Sequence, residues 1–177
     1  MRTTSRRLVG LICLILTACG GHQSPQRPSQ WLGKSPEPDS VQLRLMELNQ
    51  QMAAEADKEL LHYVQTHEEA YALYLGNVWV HIWESGNDEL TPYNYGQSCP
   101  LHLRIYSMDG KTLLADMRRS FQLGSNDTPY GVTEVVRELY PGARARLLAP
   151  WYSAYGIQGN GYVEPYQNVI IDLTIEE

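Results

Sequence analysis

The sequence has few basic residues and little cysteine. Among its 177 residues, 14 are lysine or arginine and 20 are aspartate or glutamate, which gives a formal net charge of −6 at pH 7. Proteins that bind a nucleic-acid backbone need a basic surface, so this balance argues against a nucleic-acid partner. A hydrophobic fraction of 43% is ordinary for a globular protein, and the length suffices for one hydrophobic core. We therefore expect a single folded domain.

Several kinds of site are also absent from the sequence. No glycine-rich phosphate loop and no nucleophilic serine motif occurs. Among the histidines only His62 and His67 lie close together, and their interval of five residues does not place them on one face of a helix. We therefore predict no metal site and no cofactor.

The chain begins with the pattern of an export signal. The apolar run of residues 8–16 follows three arginines and is too short to span a bilayer. It leads into Thr17-Ala18-Cys19-Gly20, which resembles the lipobox of bacterial lipoproteins, where the cysteine is acylated and becomes the first mature residue. We predict a lipoprotein signal peptide over residues 1–18 and lipidation of Cys19. The expected location is the bacterial cell envelope, anchored by lipid in the outer membrane and facing the periplasm; a plain secretory peptide with an incidental Cys19 is the alternative.

Cysteine usage agrees with this interpretation. Cys13 leaves with the signal peptide and Cys19 would carry the lipid, so Cys99 has no partner for an intramolecular disulfide. The fold must then be stabilised by core burial. We expect Cys99 to be a small apolar residue of a strand.

A tether and a long helix follow the signal. Residues 19–38 contain four prolines among glycine, serine and glutamine, a composition that predicts a flexible tether. Over residues 39–70, apolar side chains recur every three or four positions, which predicts an amphipathic helix with Asp39 or Ser40 as its N-cap. The apolar positions are Val41, Leu45, Leu48, Met52, Ala56, Leu60 and Tyr63. This stripe can dock on the chain's own domain, or residues 41–64 can pair with a second copy to form a dimer.

Beyond about residue 70 the apolar pattern changes to alternation, which is typical of β-strands. The predicted strands are residues 78–83, 101–106, 112–114, 120–123, 143–149 and 169–175. One short helix is predicted over residues 131–139, where four apolar side chains share a face, and Pro141-Gly142 ends it. Many strands and a single internal helix predict an α+β fold, with a mostly antiparallel sheet wrapped on that helix.

Several motifs share their order and approximate spacing with a known family. Residues 131–150 look like a central helix, a Pro/Gly turn and a strand; Ala154-Tyr155-Gly156 looks like a loop motif; residues 169–175 look like a terminal strand. Together with Asp109-Gly110 and the Phe-x-Leu-Gly segment at Phe121, they resemble the FKBP-type peptidyl-prolyl cis–trans isomerases over residues 76–177. The preceding lipoprotein signal, tether and helix resemble the gliding-motility-associated lipoprotein isomerases.

The resemblance implies an FKBP-like curved antiparallel sheet wrapped on a short helix and preceded by the long N-terminal helix. It also implies catalysis of X-Pro isomerisation, which needs no nucleophile or proton transfer. Amide resonance is lost as the bond twists, so a catalyst needs an apolar cup for the proline ring and a donor for the twisted carbonyl. By position, Tyr155 matches the loop tyrosine that donates to the substrate carbonyl and is the expected catalytic residue. The expected proline pocket is Leu103, Leu113, Leu114, Phe121, Val132 and Ile171.

Some matched positions depart from the family's pattern. Leu103 replaces a tyrosine, Leu113-Leu114 replace a Phe-Asp pair, and Val132 replaces a tryptophan, while Asp116 could supply the missing carboxylate only after a slip of two residues. The loss of aromatic walls should weaken proline binding by about ten- to a hundredfold. We expect a lipid-anchored isomerase or folding helper for exported polypeptides with weak activity. The alternative is a non-catalytic FKBP-fold binding module that holds a partner protein in a cell-envelope complex.

Overall fold

The computed structural model describes residues 39–176, so the predicted signal peptide, the lipidation site at Cys19 and the tether lie outside the described residues. The helices and strands are α1 (Ser40–Thr66), β1 (Ala72–Tyr74), β2 (Val78–Glu84), β3 (Ser98–Ser107), β4 (Leu113–Gln122), α2 (Tyr130–Glu138), β5 (Arg144–Ala149) and β6 (Val169–Ile175). One 3-10 turn, Leu75–Asn77, joins β1 to β2. The predicted α+β class, with one long N-terminal helix and one short internal helix, is confirmed.

The strands form one six-stranded sheet in the order β1-β2-β5-β6-β3-β4, and every neighbouring pair is antiparallel. The last strand, β6, lies in the interior of the sheet between β5 and β3. Almost all of its residues are buried, on both faces of the sheet. This position explains why its sequence is a nearly continuous apolar run, because a strand covered on both faces has no solvent side to fill with polar residues.

A tight turn joins β3 to β4. The Asp109 carboxylate accepts hydrogen bonds from the Ser107 hydroxyl at 2.6 Å and from the backbone N–H groups of Lys111 and Thr112 at 2.8 and 2.9 Å. Gly110 takes φ of +67°, in the left-handed region that glycine enters without strain. The hydrogen bonds, that from Ser107 foremost, hold the pKa of Asp109 well below its usual range.

One strand replaces two predicted ones. The predicted strands at residues 112–114 and 120–123 are parts of β4, which runs without interruption through the polar residues between them. The reason is its place at the edge of the sheet, where most of its side chains are exposed and can be polar. Asp116, for example, accepts a hydrogen bond from His102 Nε2 of β3 at 2.7 Å.

The main core lies between one face of the sheet and α2. Val132, Val135 and Val136 of α2 are completely buried there. The helix begins close to β2, since a Cβ added to Gly131 would lie 2.6 Å from Val78 Cγ2. The predicted short helix is thus found one residue earlier than expected, with its apolar face on the core.

The long helix α1 packs on the opposite face of the sheet. At its start, Asp39 Oδ1 accepts from the backbone N–H of Gln42 at 2.7 Å and Gln42 Oε1 accepts from the Asp39 N–H at 3.1 Å, a capping box. Near its end, Leu60 is completely buried against Leu148 and Ile170. The helix ends at Thr66, short of the predicted limit of residue 70.

The N-terminal half of α1 is not covered by the domain. Val41, Leu45 and Leu48, which belong to the same apolar stripe as Leu60, are 64, 55 and 46% exposed. The stripe therefore docks only through its C-terminal part. Within residues 39–176 no helix is sufficiently long and apolar to cross a membrane.

Candidate functional site

A cleft of about 700 Å³ opens beside the start of α2. One wall is the segment 124–130, which connects β4 to α2, and the other wall is formed by residues 154–160 of the loop after β5. Arg119, Thr133, Tyr152 and Tyr162 complete its lining. The cleft thus unites a strand, a helix terminus and the loop that carries the predicted catalytic residue.

Local hydrogen bonds give the loop its shape. The backbone N–H groups of Ser153 and Ala154 donate to the Pro150 carbonyl at 2.9 and 3.0 Å, and Gly156 N–H donates to the Trp151 carbonyl at 2.7 Å. Gly156 has φ of +70°, which a residue with a side chain would adopt only under strain. The Ser153 carbonyl in turn accepts from Gly131 N–H at 2.8 Å and ties the loop to α2. Tyr155 is therefore carried by a firmly folded turn.

The Tyr155 hydroxyl is shielded from solvent. It makes no hydrogen bond of acceptable geometry with any residue between 39 and 176. Its ring meets that of Tyr162 edge-on with centroids 5.8 Å apart. Burial, and then the nearby Tyr162 hydroxyl, raise the pKa of Tyr155 far above its ordinary value. The group therefore stays protonated at neutral pH and keeps an unused O–H donor.

An ion pair lies at the same cleft. Arg119 donates from Nη1 and Nη2 to the two carboxylate oxygens of Asp127 at 2.6 and 2.8 Å. Its guanidinium group also stacks over the Phe121 ring, 4.0 Å from the centroid. The paired hydrogen bonds raise the pKa of Arg119 and lower that of Asp127. Sequence reasoning missed this pair, because no periodic pattern connects a strand residue with one in an irregular segment.

Tyr155 is the predicted site residue that lines the cleft. Of the predicted proline-pocket residues, four are at most 1% exposed and belong to the main core: Leu103, Phe121, Val132 and Ile171. Leu114 is partly buried against that core, while Leu113 is 50% exposed at the start of β4. None of these six lines the cleft, and neither does Asp116.

Helix α1 is bonded to the loop that bears Tyr155. The Tyr152 hydroxyl donates to the Asp57 carboxylate and accepts from Asn77 Nδ2 at 2.9 Å. Burial, followed by the hydrogen bond to Asp57, raises the pKa of Tyr152 to about 12. The hydrogen bond between Tyr152 and Asp57 therefore links α1 to the loop that lines the cleft.

The described residues offer no evident metal centre. In the part of the chain from residue 39 to 176, no three histidine, cysteine, aspartate or glutamate side chains cluster closely enough to hold an ion. Cys99 is completely buried, and burial raises the pKa of its thiol to about 12, so the side chain is a poor nucleophile at neutral pH.

Comparisons with known proteins find similarity in structure but not in sequence. No family model and no curated protein sequence matches the chain. The N-terminal domain of FKBP42 from Arabidopsis thaliana matches with a TM-score of 0.53 and 19% identity, over 62% of this chain and 92% of that one. A peptidyl-prolyl cis–trans isomerase from Pseudomonas syringae pv. tomato matches with a TM-score of 0.59 and 15% identity, over 72 and 93%. FkpA from Escherichia coli matches with a TM-score of 0.59 and 15% identity, over 84 and 76%.

Proposed function

The chain has the FKBP fold, and from this premise we propose that it is a peptidyl-prolyl cis–trans isomerase or folding helper for exported polypeptides, with weak turnover. The observation that carries the proposal is the Tyr155 hydroxyl, a buried donor without a partner among residues 39–176, carried by a residue that lines the cleft of about 700 Å³. One structure that this chain resembles is described as a peptidyl-prolyl cis–trans isomerase.

The chemistry explains why that hydroxyl matters. A donor to the carbonyl before proline anchors the substrate in the cleft, where shielding from water favours the less polar twisted amide over the planar one and so lowers the barrier of about 18–20 kcal/mol. A buried polar group without a partner costs about 1–3 kcal/mol. A substrate carbonyl that accepts from Tyr155 would offset this cost.

Weak turnover follows from the walls of the cleft. Phe121 and Val132, expected to contact the proline ring, are sealed in the core. The cleft surface instead offers Pro129, Tyr130 and Ile157 beside many polar groups. A proline ring would lose less apolar surface to such a cleft than to a closed apolar cup, and its binding would be correspondingly weaker.

The second candidate is a non-catalytic binding module that holds a partner protein in a cell-envelope complex. The observation that favours it is the complete burial of Leu103, Val132 and Ile171. Because these side chains fill the region where the proline pocket was expected, the cleft that remains suits a polypeptide backbone rather than a proline ring. Envelope proteins would then be partners rather than substrates.

Location and assembly complete the proposal. The lipobox-like segment supports an acyl anchor at Cys19 in the outer membrane, facing the periplasm. Mass spectrometry of the mature protein should show acyl chains on Cys19, and Cys19→Ser should release the protein from membranes.

The exposed stripe of Val41, Leu45 and Leu48 supports a dimer through the helix of residues 41–64. Sedimentation of the Cys19→Ser protein should give twice the monomer mass, and a monomer for Leu45→Glu.

Proline-limited refolding of a protein substrate tests the enzymatic reading. Wild type should accelerate the slow phase at micromolar to tens of micromolar concentration, and Tyr155→Phe should abolish the acceleration. Tyr71→Phe is the matched control, since it also removes a buried hydroxyl that has no partner in the described chain, but away from the cleft. No acceleration by wild type would leave the binding module as the better reading. Equal acceleration by Tyr155→Phe would remove Tyr155 from the mechanism.

A further inference from the structure

A second cleft, of about 350 Å³, lies between α1 and the segment that joins β5 to β6. Helix α1 contributes Met52, Glu55, Ala56 and Glu59, and the segment contributes Trp151, Tyr166 and Asn168. We propose that this cleft binds a lysine or arginine side chain of a polypeptide. This inference concerns a different surface from the Tyr155 cleft and does not depend on proline isomerisation.

The charge of the cleft is negative. Glu55 and Glu59 stand one helical turn apart on the same face of α1, and no lysine or arginine is among the lining residues. Glu59 accepts a hydrogen bond from Asn168 Nδ2 at 2.6 Å, which fixes its carboxylate at the cleft. Glu55 makes neither an ion pair nor a side-chain hydrogen bond with residues 39–176, so its charge is left for a ligand.

Aromatic rings form the opposite wall. The Trp151 and Tyr166 rings are packed at 64° with centroids 4.9 Å apart. Tyr166 has φ of +58°, an unusual conformation for a residue with a bulky side chain. A cation beside such rings is attracted to their π faces, most strongly to that of tryptophan. Carboxylates on one side and aromatic rings on the other suit an ammonium or guanidinium group on an apolar stem, and Met52 and Ala56 can contact that stem.

A buried donor points to the rest of the ligand. Trp151 is only 8% exposed, and its Nε1–H has no acceptor among residues 39–176. Such a group costs free energy unless it is paired. A free amine or metal ion would leave it unpaired, whereas a peptide can supply a carbonyl oxygen beside its basic side chain. This favours a polypeptide over a small cation. The Trp151 backbone N–H is already used, since it donates to Asn168 Oδ1 at 2.8 Å.

The test uses the full chain in a neutral detergent, labelled with ¹⁵N in its tryptophan side chains, so that the indole N–H signals can be followed. Trp151→Phe identifies the Trp151 signal by its loss. The probe is the proline-free peptide acetyl-Gly-Lys-Gly-amide, and its matched control carries norleucine, which has a similar apolar stem without the ammonium group. We expect the lysine peptide to shift the Trp151 signal saturably and the norleucine peptide to bind at least about tenfold more weakly.

Two carboxylate variants complete the experiment. Glu55→Gln should weaken the lysine peptide about threefold or more, while Glu47→Gln, an equal charge change on an exposed position of α1 outside the cleft, should leave binding unchanged. An unmoved Trp151 signal at about 10 mM lysine peptide would overturn the proposal. So would equal binding of the norleucine peptide, or equal effects of the two variants. Because the peptides lack proline, none of these results bears on isomerase activity.

Discussion

Replacing Tyr155 by phenylalanine should make the domain more stable and less active at once. The variant removes a hydroxyl that is shielded from solvent and has no hydrogen-bond partner among residues 39–176, and keeps the ring that meets Tyr162 edge-on. A buried polar group without a partner costs about 1–3 kcal/mol, so the free energy of unfolding should rise by about 1 kcal/mol or more. For a domain of this size the corresponding rise in Tm is about 4 °C.

Urea unfolding followed by tryptophan fluorescence measures this change, and an unchanged slope with denaturant would show that the stability has changed without a change in the surface exposed on unfolding. Two controls bracket the result. Tyr71→Phe should also stabilise, because its hydroxyl too has no partner in the described chain. Tyr152→Phe should instead destabilise by about 1–2 kcal/mol, because that hydroxyl bonds to Asp57 and Asn77.

The refuting result is a loss of stability in Tyr155→Phe. A decrease of about 1 kcal/mol or more would mean that the hydroxyl is satisfied within the fold, as in the Tyr152 control. It would then have no unused donor to offer a substrate carbonyl. If Tyr155→Phe is more stable but accelerates proline-limited refolding as well as wild type does, the unpaired hydroxyl is not needed for catalysis.

Three further predictions concern the packing and the turns. Leu60→Ala should lower the free energy of unfolding by about 2–4 kcal/mol in a urea titration, whereas Leu61→Ala, 41% exposed, should change it by less than about 1 kcal/mol; equal losses would contradict the docking of α1. With the two N-terminal cysteines replaced by serine, Cys99 should react with a thiol reagent at pH 8 only as fast as the protein unfolds, because burial raises its pKa to about 12; immediate labelling would contradict this. The pKa of Asp109 is lower in the folded protein than its value near 3.8 in the unfolded chain, so the carboxylate stabilises the fold above that pH and loses this effect as pH falls below it. The difference in the free energy of unfolding between wild type and Asp109→Asn should therefore shrink from pH 7 to pH 3. A difference that stays constant would contradict the lowered pKa.

Local patterns predict most of the helices and strands. The spacing of apolar residues in α1 and α2, the alternation in β2, β3 and β5, and the nearly continuous apolar run of β6 are each visible within one segment of the sequence. The Asp109-Gly110 turn is equally local, because its hydrogen bonds join residues at most three apart. Strand β4 gave a weaker signal, since an edge strand with mostly exposed side chains has little apolar alternation to detect.

Contacts between residues far apart in the sequence are harder to predict from local patterns. The pairing of β2 with β5, rather than with β3, depends on the whole sheet and not on any turn between those strands. Leu103 and Val132 are buried in the main core and do not line the cleft, because their positions depend on how the sheet packs on α2. Apolar character alone does not determine this packing. The Arg119–Asp127 pair depends on the path of an irregular segment, for which the chain carries no periodic signal.

Cis–trans exchange of an X-Pro peptide, measured by NMR exchange spectroscopy with and without the protein, tests the central claim most directly. The account predicts exchange faster than the uncatalysed rate with wild type and with Tyr71→Phe, and the uncatalysed rate with Tyr155→Phe. An exchange rate unchanged by wild type, together with unshifted signals of the residues around Tyr155, would contradict the assignment of this cleft as the site where the FKBP fold of this chain engages proline peptides.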